Sequence, residues 1–377
     1  MTILPGRMVL ERVPQIKFYD GPSRCPEDIC LPSVLRAITE YLGDPDYGCN
    51  KCRTKSPACQ IACAYAYFVG VTGAAFHISW KEGWSFDNQA PVCLDADAAV
   101  MEKHAFHAIG YSFEMLLPGQ REQFLPRIAE SLQRGMPVIS YGVFGPPEAG
   151  LITGYDNDGE TILGWDFFQT LQPAMETEAT GYYRKRNWAQ DTQSVLIIGD
   201  KGPRPPLKET YRAALEFALK IIHAPEAKPG DPERFQDRRN GLTAYDAWAD
   251  HLMRDEDFQG DEAVLRERFE IHNQMVGMVA EARWYGSQFL VAMTEHTDSH
   301  VHRDAIEPIL NAAALYAGDH ALMWKLWDLA GGLGSPEAWK YFADPAIRRR
   351  MVPLIKEAQN RDQAAADNLE RAVRCWH

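Results

Sequence analysis

The chain has 377 residues, a net charge of −13 at neutral pH, and 46% hydrophobic residues. This length suits two ordinary domains. A strongly acidic chain lacks the basic patch that binds a phosphate backbone, so nucleic acid is not an expected partner. No apolar run approaches the length of about 18 residues that a membrane helix needs. The N-terminus also lacks the apolar core of a signal peptide, so we expect a cytoplasmic protein without a membrane partner.

Helices and strands alternate through the first part of the chain. Apolar residues at helical spacing, mostly followed by a glycine, predict helices at residues 31–42, 58–69, 95–109 and 121–134. Runs rich in β-forming residues predict strands at residues 74–80, 112–117, 137–143, 150–155, 161–165 and 193–198. The turn sequence Asp156-Asn157-Asp158-Gly159 indicates a hairpin between two of these strands. We therefore expect an α/β domain over residues 1–202.

The proline- and glycine-rich stretch at residues 202–206 is the predicted domain boundary. After it, strand signals disappear and only helical patterns remain. Helices are predicted at residues 207–222, 244–253, 263–294, 305–317, 321–329 and 348–374. The predicted fold class is therefore α+β, with an all-helical domain over residues 203–377.

One cysteine stands at a predicted helix start, in the sequence Cys30-Leu31-Pro32. Proline is favoured in the first turn of a helix. The free N–H groups and the positive dipole end of a helix stabilise a thiolate and lower the thiol pKa. They can also bind a developing oxyanion. A buried core cysteine is the alternative interpretation, because free cysteine is often fully buried.

The pattern Cys30-x-Pro32-x-x-Leu35 resembles the nucleophile helix of papain-like bacteriocin-processing (C39-like) peptidases. It also resembles the N-terminal domain of the butirosin biosynthesis protein H family, which is related to acyl transfer on carrier-bound substrates. The sequence EAGLITGYD at residues 148–156 resembles the strand that carries the catalytic histidine of these families. Gly164-Trp165-Asp166 resembles the next strand, with its orienting aspartate. The resemblance implies a papain-like domain over roughly the first 200 residues.

Carried over by this resemblance, Cys30 matches the nucleophile and Asp166 the orienting acid, but Glu148 occupies the histidine position. Ser23 and Arg24 stand where the families have a glutamine. From ordinary pKa values, moving a thiol proton to imidazole is uphill by roughly 2.7 kcal/mol, and moving it to glutamate by roughly 5.7 kcal/mol. A carboxylate also opposes the formation of a thiolate beside it. The sequence therefore predicts a degenerate or altered Cys30/Glu148/Asp166 site.

Three functions follow from this interpretation. The first is a papain-like protein that binds a peptide, an amino acid or an acyl-type small molecule, without a cofactor. The second is an active acyltransferase or amide hydrolase that uses Cys30, with Glu148 or the predicted strand residue His77 as its base. The third is a non-catalytic interaction protein whose helical half forms a homo-oligomer.

Metal sites are alternatives to ordinary structural roles. Cys49, Cys52, Cys59 and Cys63 include one Cys-x-x-Cys pair that suits zinc, although the second pair has helical spacing. Surface thiols, or a redox-sensitive pair at Cys49 and Cys52, are the alternative to zinc. Two histidine groups have acidic neighbours, but a solvated helix face and a helix end explain them without a metal. They are His104 and His107 with Asp97 and Glu102, and His296, His300 and His302 with Asp298 and Asp304. No metal site is therefore predicted.

Overall fold

The computed structural model describes residues 6–20, 25–44, 57–89, 97–172, 174–224, 236–295 and 301–376. By internal packing the chain divides into two compact units. The sheet unit comprises Met1–Phe68 and Phe106–Pro205, and the helical unit comprises Val69–Ala105 and Pro206–His377. This division differs from the contiguous domains 1–202 and 203–377 predicted above, because the described residues 69–89 and 97–105 pack with the helices.

An antiparallel sheet forms the centre of the sheet unit. Within the described residues its seven strands are β1 (Met8–Val9), β3 (Tyr111–Leu116), β4 (Val138–Tyr141), β5 (Ala149–Asp156), β6 (Thr161–Trp165), β7 (Tyr183–Arg186) and β8 (Ser194–Lys201). The order is β3-β8-β4-β5-β6-β7, and β1 pairs with the C-terminal half of β5. The five strands predicted between residues 112 and 198 are confirmed. The sequence missed β1 and β7, which are short or rich in charged residues.

Helices pack against this sheet. Helix α1 (Cys30–Tyr41) packs against β5, and helix α4 (Arg121–Gln133) packs across several strands. The apolar side of α4 contributes Phe124, Ile128 and Leu132 to a core completed by residues of the strands. Both helices were predicted from their apolar spacing, and each agrees with the prediction to within one residue at either end.

The helical unit contains α6 (Leu207–Ile222), α7 (Leu242–Met253), α8 (Glu262–Glu295), α9 (Arg303–Leu329), α10 (Ala338–Ala343) and α11 (Pro345–Arg374). Helix α9 packs extensively on both α8 and α11. A two-stranded antiparallel pairing of β2 (Ser79–Lys81) with β9 (Arg238–Asn240) lies in the same unit. The boundaries between the two units fall inside helices α2 (Pro57–Val71) and α3 (Val100–Ile109). The short helix α5 (Trp188–Asp191) belongs to the sheet unit. The α+β class with a helical C-terminal region is confirmed.

The predicted strand at residues 74–80 is mostly wrong. Ala74–Phe76 forms a short 3-10 helix, and only Ser79–Lys81 is a strand. The reason is a long-range contact that local propensity cannot report. The Arg283 guanidinium donates to the backbone carbonyls of Ala75, at 2.6 Å, and of His77, at 3.4 Å. These carbonyls therefore have a side-chain donor in place of a neighbouring strand.

The two helices predicted at residues 305–317 and 321–329 are one continuous helix, α9. Gly318 suggested a break, since glycine weakens a helix interior. In the structure a side chain at this position would meet Nη1 of Arg361 at 2.2 Å. Gly318 therefore allows a close approach between helices. Among the described residues, no helix is long and apolar enough to cross a membrane.

We predict that a fragment of residues 1–202 will not fold as a stable monomer. It would keep residues 69–105 but lose β9, which pairs with β2, and Trp248, which stacks on the fully buried Trp80 at 6.3 Å. Exposed apolar surface of this kind favours aggregation. Size-exclusion chromatography and thermal melting, with the full chain as the control, will measure this. A monodisperse fragment that melts as cooperatively as the full chain would contradict the prediction.

Candidate functional site

Cys30 is the first residue of α1, as the sequence predicts. The preceding residue, Ile29, donates its backbone N–H to the Tyr65 hydroxyl at 3.0 Å. In the second turn of the helix, Arg36 forms a buried salt bridge with Glu27 at 2.9 Å. These contacts hold the helix start to the segment before it. The position of the Cys30 side chain is therefore defined by long-range contacts on both sides of the helix terminus.

Glu148 and Asp166 lie at the same end of the sheet. Glu148 immediately precedes β5, and Asp166 immediately follows β6. The antiparallel register pairs Leu151 with Trp165, so the start of β5 lies opposite the end of β6. The hairpin between these strands therefore brings together two acids that are distant in sequence.

The Cys30 thiol lies 3.8 Å from the backbone carbonyl of Asp28, a weak hydrogen-bond acceptor. The Glu148 carboxylate lies near enough to the thiol for its charge to raise the thiol pKa. Cys30 is only 5% exposed. Burial raises the pKa of this thiol well above its ordinary value, and the charges of Glu148, Asp166 and Asp28 raise it further. The thiol is therefore protonated at neutral pH and acts as a hydrogen-bond donor.

Asp166 is buried, and residues just after it in the chain hold it by hydrogen bonds. The backbone N–H of Phe168 donates to Oδ1 of Asp166 at 2.8 Å, and the Asp166 N–H donates to Oε1 of Gln169 at 3.0 Å. Burial raises the pKa of Asp166 to about 7; the Phe168 N–H opposes this rise and the charge of Glu148 adds to it. Burial likewise raises the pKa of Glu148, while the neighbouring Cys30 thiol lowers it.

Within the described part of the chain, every charge that shifts the pKa of Cys30 is negative. A histidine at position 148 would instead pair a thiolate with an imidazolium, and opposite charges at close range favour ionisation of both groups. The burial of α1 also removes part of the benefit expected from its dipole, because an isolated charge is costly in a low-dielectric interior. The local preference of a helix start for a thiolate is thus overcome.

Sequence reasoning missed Gly150 as a residue of this site. A β-carbon at Gly150 would lie 2.8 Å from Oδ2 of Asp166, so the backbone of β5 passes directly beside the carboxyl group. A glycine inside a predicted strand is a signal of such a close approach. Phe18 packs on Phe167 and Phe168, the residues after Asp166, with ring centroids 5.0 and 5.2 Å apart. No local pattern indicated that Phe18 contacts them.

His77, the alternative base, lies in the helical unit. Burial lowers its pKa to about 3, and the charges of Arg283 and Arg238 lower it further. A histidine with so low a pKa is a weak acceptor for a thiol proton. Among the described residues, its buried Nε2 has no hydrogen-bond partner.

The metal alternatives fall partly outside the described residues. Cys49, Cys52, His296 and His300 lie there, as do Ser23 and Arg24 at the glutamine position; Cys59 and Cys63 belong to α2, but their side chains are not described. His104 stacks on Phe217 at 4.0 Å, and Nδ1 of His302 accepts the backbone N–H of Asp304 at the start of α9. In the described ranges, no three histidine, cysteine or acidic side chains are arranged to hold a metal ion.

Comparison with known proteins assigns no family to the chain, because no protein-family model and no curated protein matches it. The functional interpretation therefore depends on the geometry of Cys30, Glu148 and Asp166.

We predict that Cys30 reacts slowly with iodoacetamide at neutral pH and that Glu148→Gln accelerates the reaction. The substitution keeps the shape of the side chain but removes the nearest negative charge. Each unit by which the thiol pKa falls raises the thiolate fraction, and hence the rate, about tenfold. Glu148→His should accelerate the reaction further, because an imidazolium stabilises the thiolate. Mass spectrometry of the Cys30 peptide measures the rate.

The exposed acid Glu160, in the β5–β6 turn, supplies the matched control. Glu160→Gln also removes one negative charge from the unit and should leave the rate unchanged. If wild-type Cys30 reacts faster than the exposed Cys25, the carboxylates do not suppress it. An unchanged rate in both Glu148 variants would show that this carboxylate does not control the thiol.

Proposed function

We propose that the sheet unit is a papain-like domain whose altered Cys30/Glu148/Asp166 site binds a peptide, an amino acid or an acyl-type small molecule without using Cys30 as a nucleophile. The main support is that the carboxylates of Glu148 and Asp166 both lie near enough to the buried Cys30 thiol to raise its pKa. These are the positions that the resemblance assigns to nucleophile, base and orienting acid. Their convergence supports the proposal because they come from three separate segments of the chain.

The electrostatics favour binding over nucleophilic catalysis. A cysteine nucleophile is the thiolate, which needs a lowered pKa or a base close to it in pKa. Here burial and three carboxylates raise the pKa of the thiol well above its ordinary value. The site instead offers a ligand a protonated thiol as donor and two carboxyl groups as acceptors or donors. Such polar groups at the end of a rigid sheet suit amide or carbonyl recognition.

One observation favours the active enzyme as a second candidate. Burial raises the pKa of Glu148, the direction that makes a carboxylate a better base. Yet the pKa of Cys30 is raised as well, so a large difference between donor and acceptor remains. An enzyme that uses this pair would need its ligand to supply a positive charge or to exclude Asp166 from the thiol.

The third candidate, a homo-oligomer formed by the helical half, has support from exposed aromatic residues. Trp284 on α8 and Trp324 on α9 are 41% and 44% exposed. Tryptophan is enriched in protein interfaces. The side chains of Trp284 and Trp324 each contact His320, so they form one surface group. This feature is compatible with ligand binding by the sheet unit and does not replace it.

We predict that Gly150→Ala weakens ligand binding without unfolding the protein. The new methyl group must displace the Asp166 carboxyl, which would otherwise lie 2.8 Å away. Thermal-shift titrations with amino acids, dipeptides and N-acetylcysteamine acyl thioesters will identify a binding class for the wild type. For that class, Gly150→Ala should raise the dissociation constant about tenfold or more, equivalent to about 1.4 kcal/mol.

Gly119→Ala is the matched control, because no atom lies within 4 Å of the position of its added β-carbon. Its affinity should equal that of the wild type. Intact-mass spectrometry in the presence of the thioesters separates the first two candidates. An acyl group on Cys30 that turns over, and that Cys30→Ser abolishes, would establish the active enzyme. Equal binding by both glycine variants would exclude a ligand at this site.

A further inference from the structure

A buried ion pair joins three helices of the helical unit. The Arg283 guanidinium on α8 donates to both carboxylate oxygens of Asp362 on α11, at 3.0 and 2.6 Å. The Tyr245 hydroxyl on α7 donates to the same carboxylate at 2.8 Å. Arg283 is 0% and Asp362 1% exposed. With three donors directed at it, Asp362 is the ionised partner of Arg283.

A second acid, Asp319 on α9, lies beside this pair. It is 0% exposed, and its carboxyl is within hydrogen-bonding reach of the Asp362 carboxyl. Among the described residues, neither oxygen of Asp319 receives a hydrogen bond from a donor group. Two ionised carboxylates would repel each other, and a carboxylate in a dry interior without donors is very costly. A neutral carboxylic acid at Asp319 avoids both the repulsion and the cost of a buried charge. Its O–H group can also donate a hydrogen bond.

We infer that Asp319 is a neutral carboxylic acid in the folded protein and donates its proton in a hydrogen bond to the Asp362 carboxylate. The charges then balance, with one cation, Arg283, and one anion, Asp362. The hydrogen bond also connects α9 to the ion pair between α8 and α11. The folded helical unit consequently holds a proton that an unfolded chain releases at neutral pH, which makes its stability dependent on pH.

The other groups that face Asp319 do not offer it a second counter-ion. The buried phenols Tyr245 and Tyr316 have pKa values raised well above the ordinary value by burial, so both are neutral. The Arg361 guanidinium, 3.0 Å from Glu357, exerts only a weak opposing effect on Asp319. Among the described residues, the titratable and charged groups that act on Asp319 from the packed helices are Tyr245, Arg283, Arg361 and Asp362, and Tyr316 lies on the same helix as Asp319.

The direction of the pH effect follows from the direction of the pKa change. Burial, the charge of Asp362 and the hydrogen bond raise the pKa of Asp319 to about 10, from an ordinary value of about 3.9. A folded-state pKa above the unfolded value stabilises the fold at low pH. This contribution is lost progressively as the pH rises from about 4 to about 10, where the unfolded chain has released the proton and the folded chain has not.

The experiment compares unfolding of the wild-type full chain with that of Asp319→Asn from pH 5 to pH 9. Asparagine has the same shape, carries no charge and can donate to Asp362. Over this range the wild-type unfolding constant should increase, relative to the variant, about tenfold per pH unit, the signature of one proton. Glu307→Gln removes an exposed acid from the same helix and should reproduce the wild-type pH dependence.

Equal pH dependence in wild type and Asp319→Asn would overturn the inference, because Asp319 would then be ionised in both states. A second measurement needs no variant. In carbon-13 NMR of aspartate carboxyls, one resonance should retain the chemical shift of a protonated acid at pH 8, where Asp166, with its pKa of about 7, is mostly ionised. If every folded-state aspartate resonance at pH 8 is that of a carboxylate, Asp319 holds no proton.

Discussion

The pairing of β5 with β6 is the constraint on which the candidate site depends. The register of these strands places Glu148, before the first, and Asp166, after the second, at one end of the sheet. A shift by one residue would turn the side chains of a strand to its other face. Strand β5 also packs against α1, whose first residue is Cys30. One hairpin therefore determines which groups can meet the thiol.

Burial together with negative charge explains the protonation of both sites. In the sheet unit, the charges of the described residues that act on the buried Cys30 thiol are all carboxylates, and burial with repulsion keeps its proton bound. In the helical unit, the buried Arg283 pairs with Asp362, and the buried Asp319 lies beside this pair. An unpaired charge is costly in a low-dielectric interior, so an acidic group without a cationic partner stays protonated and neutral. The two sites thus follow one rule, although their structural settings differ.

Local sequence signals were sufficient where an element forms from its own residues. Helix α6 begins after Pro206 and has the predicted bounds, because its apolar spacing is regular and its flanking residues do not continue the helix. The β5–β6 hairpin was equally clear from its turn. The signals failed where a distant group decides the structure. At Ala74–Phe76 the Arg283 guanidinium binds the carbonyl of Ala75, and at Gly318 the missing side chain leaves room for Arg361 of a neighbouring helix.

The sequence by itself named the candidate site residues: a cysteine at a helix start, a glutamate before one strand, and an aspartate after the next strand. Only the tertiary structure decided that the thiol of Cys30 meets the carboxylate of Glu148 and that Gly150 leaves room for Asp166. It also decided which of these groups keep their protons. The physical reason is that burial and charge repulsion depend on neighbours brought together by folding, and no local pattern contains them.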